Sequence, residues 1–253
     1  STTTRVALIA GAGRFPFHVA QEGKRQGYQM VALGIRGWAD PSLAAAVDAY
    51  EEVSVGELAR LIERLKAHEV RHAIMAGKVT KDVLLRDQDT FDPTARAIVQ
   101  QAGDASVNRL LGDIATLLAG AGITLLDSSV FLREQLCPVG PLTRRAPSPD
   151  ETADIKIGVR AARAIARLDI GQTVIVKRRV IVAVEGLEGT DAAIQRAHAL
   201  AGTGLVVVKA ASPSQDRRFD LPVIGLETMA VLAASGVTCL AVEAHATLLL
   251  DRD

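Results

Sequence analysis

The sequence of 253 residues predicts an α/β protein with two domains. Short apolar runs alternate with amphipathic helical segments from residue 5 onward, which is the pattern of parallel strands connected by helices. Four prolines between residues 137 and 149 then interrupt any regular element. We therefore predict a Rossmann-like domain with a parallel sheet over residues 1–142 and a mixed α/β domain over residues 143–253.

The first domain begins with a strand, a glycine turn and a helix. The apolar run Arg5–Ala10 ends at Gly11-Ala12-Gly13, and residues 15–27 have helical periodicity with Pro16 in the first turn. Because strands and helices alternate, the sheet is predicted to be parallel and doubly wound. The other elements predicted for this domain are strands over 29–33, 73–76 and 123–126 and helices over 55–67, 92–101 and 105–119.

The second domain has a different order of elements. A helix over 150–168 comes first, and residues 173–176 and 180–185 are β-rich runs joined by only three residues. That connection is too short for a crossover, so the two runs are predicted to form an antiparallel hairpin. The remaining predicted elements are a helix from 190 or 191, a strand over 205–209, a helix over 227–235 and strands over 238–242 and 247–250.

Composition and charge disfavour several classes of protein. Lys and Arg number 29, as do Asp and Glu, so the zero net charge gives no general attraction to nucleic acid. Aromatic residues at 3% leave few rings to stack on bases, and we expect no nucleic-acid partner. Cys137 and Cys239 predict neither a disulfide framework nor a zinc site. No apolar stretch reaches the length of a membrane span, which predicts a cytoplasmic protein.

Two glycine turns follow predicted strands of the first domain. Gly11 and Gly13 precede a helix, where backbone N–H groups can approach a phosphate, and a turn without a ligand is the alternative. A dinucleotide site is disfavoured, because Pro16 replaces the third glycine of that fingerprint and no acidic residue ends the second strand. Gly77 and Lys78 are candidates to contact a sugar or phosphate, with a solvated loop as the alternative.

Carboxylates are concentrated after a strand of the second domain. Glu185, Glu188 and Asp191 lie close together in the sequence, and carboxylate oxygens are ligands that Mg²⁺ prefers. The same acids could instead stabilise the N-terminus of the helix that begins at Thr190 or Asp191. Both interpretations remain open from the residues alone.

A second charged segment follows the strand over 205–209. Its acids and bases could serve a metal ion and a phosphate together, or they could pair with one another on the surface. The charged residues are Lys209, Asp216, Arg217, Arg218 and Asp220.

Taken in order, these segments resemble the LpxI-type UDP-2,3-diacylglucosamine pyrophosphatase family of Gram-negative lipid A biosynthesis. The resemblance spans nearly the whole chain. Its most specific elements are Asp169-Ile170-Gly171-Gln172, Glu188-Gly189-Thr190-Asp191 and Gln215-Asp216-Arg217-Arg218-Phe219-Asp220-Leu221-Pro222. Further matching stretches are residues 8–13 with Pro16, Ala76-Gly77, Gly103-Asp104 and Val184-Glu185.

The resemblance implies a cytoplasmic enzyme that reaches the inner face of the inner membrane through its lipid substrate. Such an enzyme would use Mg²⁺ to hydrolyse UDP-2,3-diacylglucosamine to UMP and 2,3-diacylglucosamine 1-phosphate (lipid X). Water would attack the phosphorus on the sugar side. The family also suggests a substrate site between the two domains and a homodimer.

Roles for individual residues follow from the same resemblance. The family's essential aspartate matches Asp220, which would be a Mg²⁺ ligand or the base that orients water. Asp191 would be a second catalytic carboxylate near the metal, and Asp216 a further metal ligand. The predicted substrate-binding residues are Gly11, Gly13, Ala76, Gly77, Lys78, Gln172, Thr190, Lys209, Gln215, Arg217 and Arg218.

One position departs from the family pattern. Ser212-Pro213 stands where the family has Lys-Pro, which removes one presumed phosphate contact. Two other functions are considered beside hydrolysis. The first is a non-catalytic binder of a nucleotide sugar or of lipid X, and the second is a dinucleotide-dependent oxidoreductase built on the first domain.

Overall fold

A computed structural model describes residues 4–80, 88–102, 107–211, 216–219 and 221–252 of the chain. Two units are separated in it: one contains Ser1–Arg133 and Asp216–Asp220, the other Glu134–Gln215 and Leu221–Asp253. This division falls before the predicted boundary between residues 142 and 143. It also places Asp216–Asp220, which the sequence assigned to the second domain, in the first unit. The predicted place of this segment in the second domain is thereby corrected, because residues 216–219 contact the first unit in the way described below.

The first unit contains a parallel sheet with helices on its faces, as predicted. Its strands, in the described part of the chain, are β1 (Arg5–Ala10), β2 (Gln29–Ile35), β3 (Ala49–Val53), β4 (His72–Ala76) and β5 (Thr124–Leu125), in the order β3-β2-β1-β4-β5. The helices among the described residues of this unit are α1 (Phe15–Arg25), α2 (Leu58–Ala67), α3 (Pro93–Ala102) and α4 (Val107–Gly120), with short 3₁₀ turns at Pro41–Ala46 and Gln88–Thr90. The strand order reverses between β1 and β4, and open α/β sheets bind ligands at such a point.

The core of this unit explains why its elements form. On one face of the sheet, alternate residues of β1 and β2 pack against apolar side chains of α2, including Leu58, Leu61 and Leu65. These three leucines recur at helical spacing, so α2 buries one face and exposes the other. Helix α1 contacts β1 and β2 as well. The sheet is therefore the apolar centre of the unit. The polar residues discussed below lie in the loops at the ends of its strands.

The second unit contains the mixed sheet that the short connection predicted. Strands β6 (Thr173–Lys177) and β7 (Val180–Val184) are an antiparallel hairpin. β8 (Leu205–Lys209) is antiparallel to β6 and parallel to β10 (Val237–Val242), in the order β10-β8-β6-β7. Two further described strands, β9 (Val223–Ile224) and β11 (Leu248–Leu249), pair in parallel with each other. The described helices of this unit are α5 (Pro149–Arg167), α6 (Thr190–Ala201) and α7 (Leu226–Ala234). A 3₁₀ turn at Arg133–Gln135 precedes them.

Both faces of this sheet are buried. Ile175 and Val207 join the core that includes α6, whereas their neighbours Val174 and Val208 join the core that includes α5. Successive strand residues point to opposite faces, so a continuous apolar run is what a doubly covered strand requires. The α/β fold class, with one parallel and one mixed sheet, is confirmed. Among the residues described, no helix is both long and apolar enough to cross a membrane.

Candidate functional site

The two glycine turns of the first unit pair with each other at the point where the strand order reverses. The amide of Ala12 donates to the carbonyl of Lys78, and the amide of Lys78 donates back to Ala12, both at 2.9 Å. A Cβ on Gly77 would lie 2.7 Å from the carbonyl carbon of Gly11, and one on Gly11 would lie 2.7 Å from the carbonyl oxygen of Lys78. Gly11 and Gly77 are therefore needed for the close approach of two loops, and the amides of Ala12 and Lys78 are already used.

Gly13 and the side chain of Lys78 remain the parts of these turns that could meet a ligand. Gly13 has a φ of +91°, and no described atom lies within 4 Å of a Cβ built on it. Lys78 is exposed, whereas Ala76 is buried at the end of β4. The predicted contacts of Gly13 and Lys78 with substrate stay predictions. The amides of Ala12 and Lys78 donate to each other's carbonyls and are not free to bind a phosphate.

Residues 216–219 are attached to the carboxyl ends of β4 and β5 through Ser128. The amide of Ser128 donates to the carbonyl of Arg217 at 2.9 Å. Its hydroxyl lies 2.8 Å from the carbonyl oxygen of Met75 and 2.7 Å from that of Arg218. Ser128 is only 2% exposed, so these bonds are formed away from water. Phe219 also packs against the apolar core of the first unit, which is why this segment belongs to it.

Arg217 is held by the same loop that carries Ser128. Its Nε lies 2.9 Å from Oδ2 of Asp127, and one of its terminal nitrogens donates to the hydroxyl of Ser129 at 3.0 Å. The other carboxylate oxygen of Asp127 accepts from the amide of Ser129 at 2.7 Å. The guanidinium of Arg217 is thus fixed at the carboxyl end of the parallel sheet, where a phosphate ligand would be expected.

Arg218 and Asp216 form a two-point ion pair. The Nε of Arg218 lies 2.9 Å from one carboxylate oxygen of Asp216 and 3.0 Å from the other. The hydrogen bond from Arg218 lowers the pKa of Asp216, against the smaller opposing effect of partial burial. Asp216 was predicted to be a metal ligand, and in this structure Arg218 occupies both of its oxygens.

Polar residues of the second unit meet where β7 and β8 end and α6 begins. The hydroxyl of Thr190 donates to Oε1 of Glu185 at 2.8 Å, and the ammonium of Lys209 donates to the hydroxyl oxygen of Thr190 at 3.0 Å. The amide of Gln172 donates to Oε2 of Glu185 at 3.1 Å. β6 is antiparallel to both neighbours, so Thr173, its first residue, pairs with the last residue of β8 and lies 3.5 Å from Thr190 between the two hydroxyl oxygens.

The surroundings of Glu185 keep its carboxyl group ionised. Burial raises the pKa of this group, but the positive charge of Lys209 and hydrogen bonds from Thr173, Thr190 and Gln172 together lower it below its ordinary value. Lys209 and Glu185 compensate each other's charge. Three predicted substrate contacts, Gln172, Thr190 and Lys209, are therefore brought together around Glu185, which the sequence analysis considered only as a metal ligand or a helix-stabilising acid.

Two of the three predicted Mg²⁺ ligands, Asp191 and Asp216, lie in the described part of the chain. Within the described ranges, no group of three or more His, Cys, Asp or Glu side chains could hold a metal ion. Asp191 is half-buried in the first turn of α6, and Asp216 pairs with Arg218. Asp220 and Gln215 lie outside the described residues. The described carboxylates do not by themselves form a fitting metal site, and the Mg²⁺ prediction therefore depends on Asp220.

Sequence reasoning assigned no role to three residues that organise these clusters, Asp127, Ser128 and Ser129, and it considered Glu185 for a metal site or for helix capping but not as the partner of Thr190. Glu185 had a usable signal, because an acidic residue directly after an apolar strand is uncommon unless it has partners. The Asp127–Ser129 loop had a weaker one, since a short polar run after a strand is also an ordinary turn. Its partners lie about ninety positions away, which no local pattern reveals.

The fold and these clusters define a class of protein: a two-unit α/β protein in which polar and charged side chains gather at the ends of strands. Comparison with models of protein families identifies it more closely. The model of the LpxI N-terminal domain matches residues 5–135, and the model of the LpxI C-terminal domain matches residues 138–253. The chain belongs to the LpxI family, which confirms the resemblance drawn from its sequence motifs.

One curated relative extends over almost the entire chain. UDP-2,3-diacylglucosamine pyrophosphatase LpxI of Caulobacter vibrioides is 30% identical over 266 residues, which cover 98% of this chain and 91% of that protein. Among solved structures, the biotin carboxylase domain of a single-chain bacterial carboxylase is 17% identical with a TM-score of 0.31. The match covers 77% of this chain and 40% of that one, and at this TM-score the similarity supports no argument.

Proposed function

We propose that this protein hydrolyses the pyrophosphate bond of UDP-2,3-diacylglucosamine, releasing UMP and 2,3-diacylglucosamine 1-phosphate. The observation that carries the proposal is the match of both LpxI domains in order, together with a relative of that name aligned over 98% of the chain. Lipid A biosynthesis is the process that this activity would serve.

The described residues support a diphosphate as the ligand. Arg217 in the first unit and Lys209 in the second both lie at strand ends and carry fixed positive charge. Lys209 lies beside the N-terminus of α6, where the helix dipole favours an anion. Cations placed before reaction stabilise the charge that develops on phosphate oxygens as UMP leaves, and they need no reorganisation. Attack by water requires no covalent nucleophile.

A requirement for Mg²⁺ is part of the proposal. When bound, Mg²⁺ supplies positive charge to the diphosphate and polarises its oxygens. Asp220 is the proposed ligand or water-orienting base, and Asp191 is the proposed second carboxylate. The protein's own contribution is the fixed positive charge of Arg217 in the first unit and of Lys209 in the second.

The test is UMP release by the purified protein from UDP-2,3-diacylglucosamine, with Mg²⁺ or with EDTA. Wild-type turnover that EDTA abolishes and Asp220→Ala lacks is the expected result. Tight lipid binding without UMP release would overturn the enzymatic proposal in favour of a binding protein. Asp89→Ala is the matched control, because Asp89 lies in a 3₁₀ turn of the first unit. This variant should release UMP at the wild-type rate.

Location and assembly are further parts of the proposal. We expect a cytoplasmic protein that meets the inner membrane through its lipid substrate and acts as a homodimer. Flotation with vesicles should show binding only when they contain the lipid substrate or product. Light scattering should give twice the 26.7 kDa mass of the chain, and a mass of one chain would contradict the dimer.

A further inference from the structure

The hydrogen bonds around Thr190 have a fixed direction. A threonine hydroxyl carries one proton and can donate only once. Glu185 is ionised and accepts only, so that proton goes to its carboxylate, 2.8 Å away. The oxygen of Thr190 then presents its lone pairs to Lys209, whose ammonium donates to it at 3.0 Å. The order of donation is from Lys209 to Thr190 to Glu185.

This direction changes the role expected for Thr190. Its hydroxyl cannot donate to a phosphate oxygen while its proton is held by Glu185. Lys209 has three ammonium hydrogens, and Thr190 accepts one of them. The group that can approach a phosphate with a hydrogen-bond donor is therefore Lys209, and Thr190 connects it to the rest of the unit.

Glu185 itself is held from two sides. Its amide donates to the carbonyl of Thr173 at 2.9 Å, and its Oε2 accepts from the amide of Gln172 at 3.1 Å. The carboxylate is thus anchored to the edge of the sheet through backbone groups, which do not depend on side-chain rotamers. A charge fixed in this way can fix a long, otherwise flexible lysine side chain.

We propose that Glu185 is a positioning residue that holds the ammonium of Lys209 in place through the hydroxyl of Thr190. Its effect on turnover rests on the function proposed above, whereas its effect on the position of Lys209 can be measured without turnover. The two measurements together separate a failure of this inference from a failure of the proposed function.

The first measurement is kinetic. Glu185→Gln keeps the shape but removes the charge, and Thr190→Val keeps the shape but removes the hydroxyl. Each should lower kcat/KM about tenfold, the loss expected for a hydrogen bond to a charged group. The double variant should lose little more than either single variant, because both act through Lys209. Full additivity of the two losses would overturn the inference.

Glu151→Gln is the matched control in the same unit. Glu151 also accepts from a backbone amide, that of Ser148 at 2.8 Å, and pairs with a cation, Arg145. Its replacement should lower stability without changing kcat/KM. If Glu151→Gln lowers kcat/KM as much as Glu185→Gln does, the effect is one of general stability and the inference fails.

The second measurement is the acetylation rate of Lys209 by an amine-reactive ester, read by peptide mass spectrometry. Lys209 should react about tenfold faster in Glu185→Gln and in Thr190→Val, because its amine is released from its partner. The exposed Lys156 is the internal reference and should not change. An unchanged Lys209 rate in a folded variant would overturn the inference, whether or not the wild type releases UMP. If Glu185→Gln does not fold, the acetylation rate of Lys209 in Thr190→Val provides the same test.

Discussion

The hydroxyl oxygen of Ser128 lies 2.7 Å from the carbonyl oxygen of Arg218, 90 positions later in the chain. The same hydroxyl lies 2.8 Å from the carbonyl of Met75 at the end of β4. One buried side chain therefore joins the parallel sheet to the segment that directly precedes Asp220. The motif over residues 215–222 is one of the three specific elements of the family. Its residues 216–219 belong to the first unit, whereas the stretches on either side of the motif belong to the second.

Replacing Ser128 with alanine should disturb both stability and turnover. The Ser128 hydroxyl has one proton, which it donates to the carbonyl of Met75 or to that of Arg218. The change removes this buried donor, which should lower the free energy of unfolding by about 1–3 kcal/mol. Urea unfolding measures this, and kcat/KM for UMP release should also fall because Arg217 is less well placed. Ser42→Ala removes an exposed hydroxyl and should change stability by less than about 0.5 kcal/mol. Equal stability of Ser128→Ala and wild type would contradict the role of Ser128.

Two of the positive-φ glycines of the first unit, Gly13 and Gly77, should respond differently to replacement by alanine. Gly13 and Gly77 have φ values of +91° and +96°, so both substitutions strain the backbone, by about 1–2 kcal/mol. Only Gly77→Ala also places a Cβ 2.7 Å from a backbone carbon of Gly11, and such overpacking costs about 1–3 kcal/mol more. Thermal unfolding should therefore rank Gly77→Ala below Gly13→Ala. The reverse order would show that the two turns do not pair closely.

The β6–β7 hairpin should become more stable when a glycine is placed in its turn. Arg179 has a φ of +65°, and its amide donates to the buried carboxylate of Asp154 at 2.6 Å. Arg179→Gly removes the strain of a left-handed residue and should raise the free energy of unfolding by about 0.5–1 kcal/mol. The same change at Arg160, inside α5, should lower it by about 1 kcal/mol. Destabilisation by Arg179→Gly would mean that its side chain matters more than its backbone.

Acid should weaken the second unit partly through Glu151. Hydrogen bonds from Arg145 and from the Ser148 amide lower the pKa of Glu151 from 4.5 to about 2. A carboxyl with a lowered folded-state pKa stabilises the fold above its unfolded pKa, and this contribution is lost as the pH falls from about 4.5 to about 2. Glu151→Gln should therefore flatten the decline of stability in that range. An unchanged slope would contradict the ion pair.

The sequence predicts the sheets better than it predicts the clusters. The predicted strands over 173–176 and 180–185 are joined by three residues, which allowed only a hairpin, and in the structure two residues, Arg178 and Arg179, connect β6 and β7. That pairing could be derived from the length of the connection alone. β3 was missed because its Tyr50, Glu51 and Glu52 are polar or half-exposed at the sheet edge, where the apolar pattern of a buried strand is absent. Local periodicity identifies an element only when its burial is regular.

The site residues illustrate the same limit at longer range. Lys209, Thr190 and Gln172 were predicted as separate contacts, and antiparallel pairing of β6 with both neighbours brings them together. The attachment of Arg217 and Arg218 to the Asp127–Ser129 loop depends on contacts about ninety positions apart, which composition and spacing do not encode. The order of the motifs was enough to identify the family. The contacts of the motif residues depend on tertiary hydrogen bonds and could not be predicted from that order.

Turnover in ¹⁸O-labelled water tests directly whether this protein hydrolyses the pyrophosphate bond. Mass spectrometry of the products should show equal amounts of UMP and 2,3-diacylglucosamine 1-phosphate. One ¹⁸O atom should appear in the lipid phosphate, as attack on the sugar-side phosphorus requires. UDP with free diacylglucosamine as products, or no turnover with Mg²⁺ present, would contradict hydrolysis of the pyrophosphate bond.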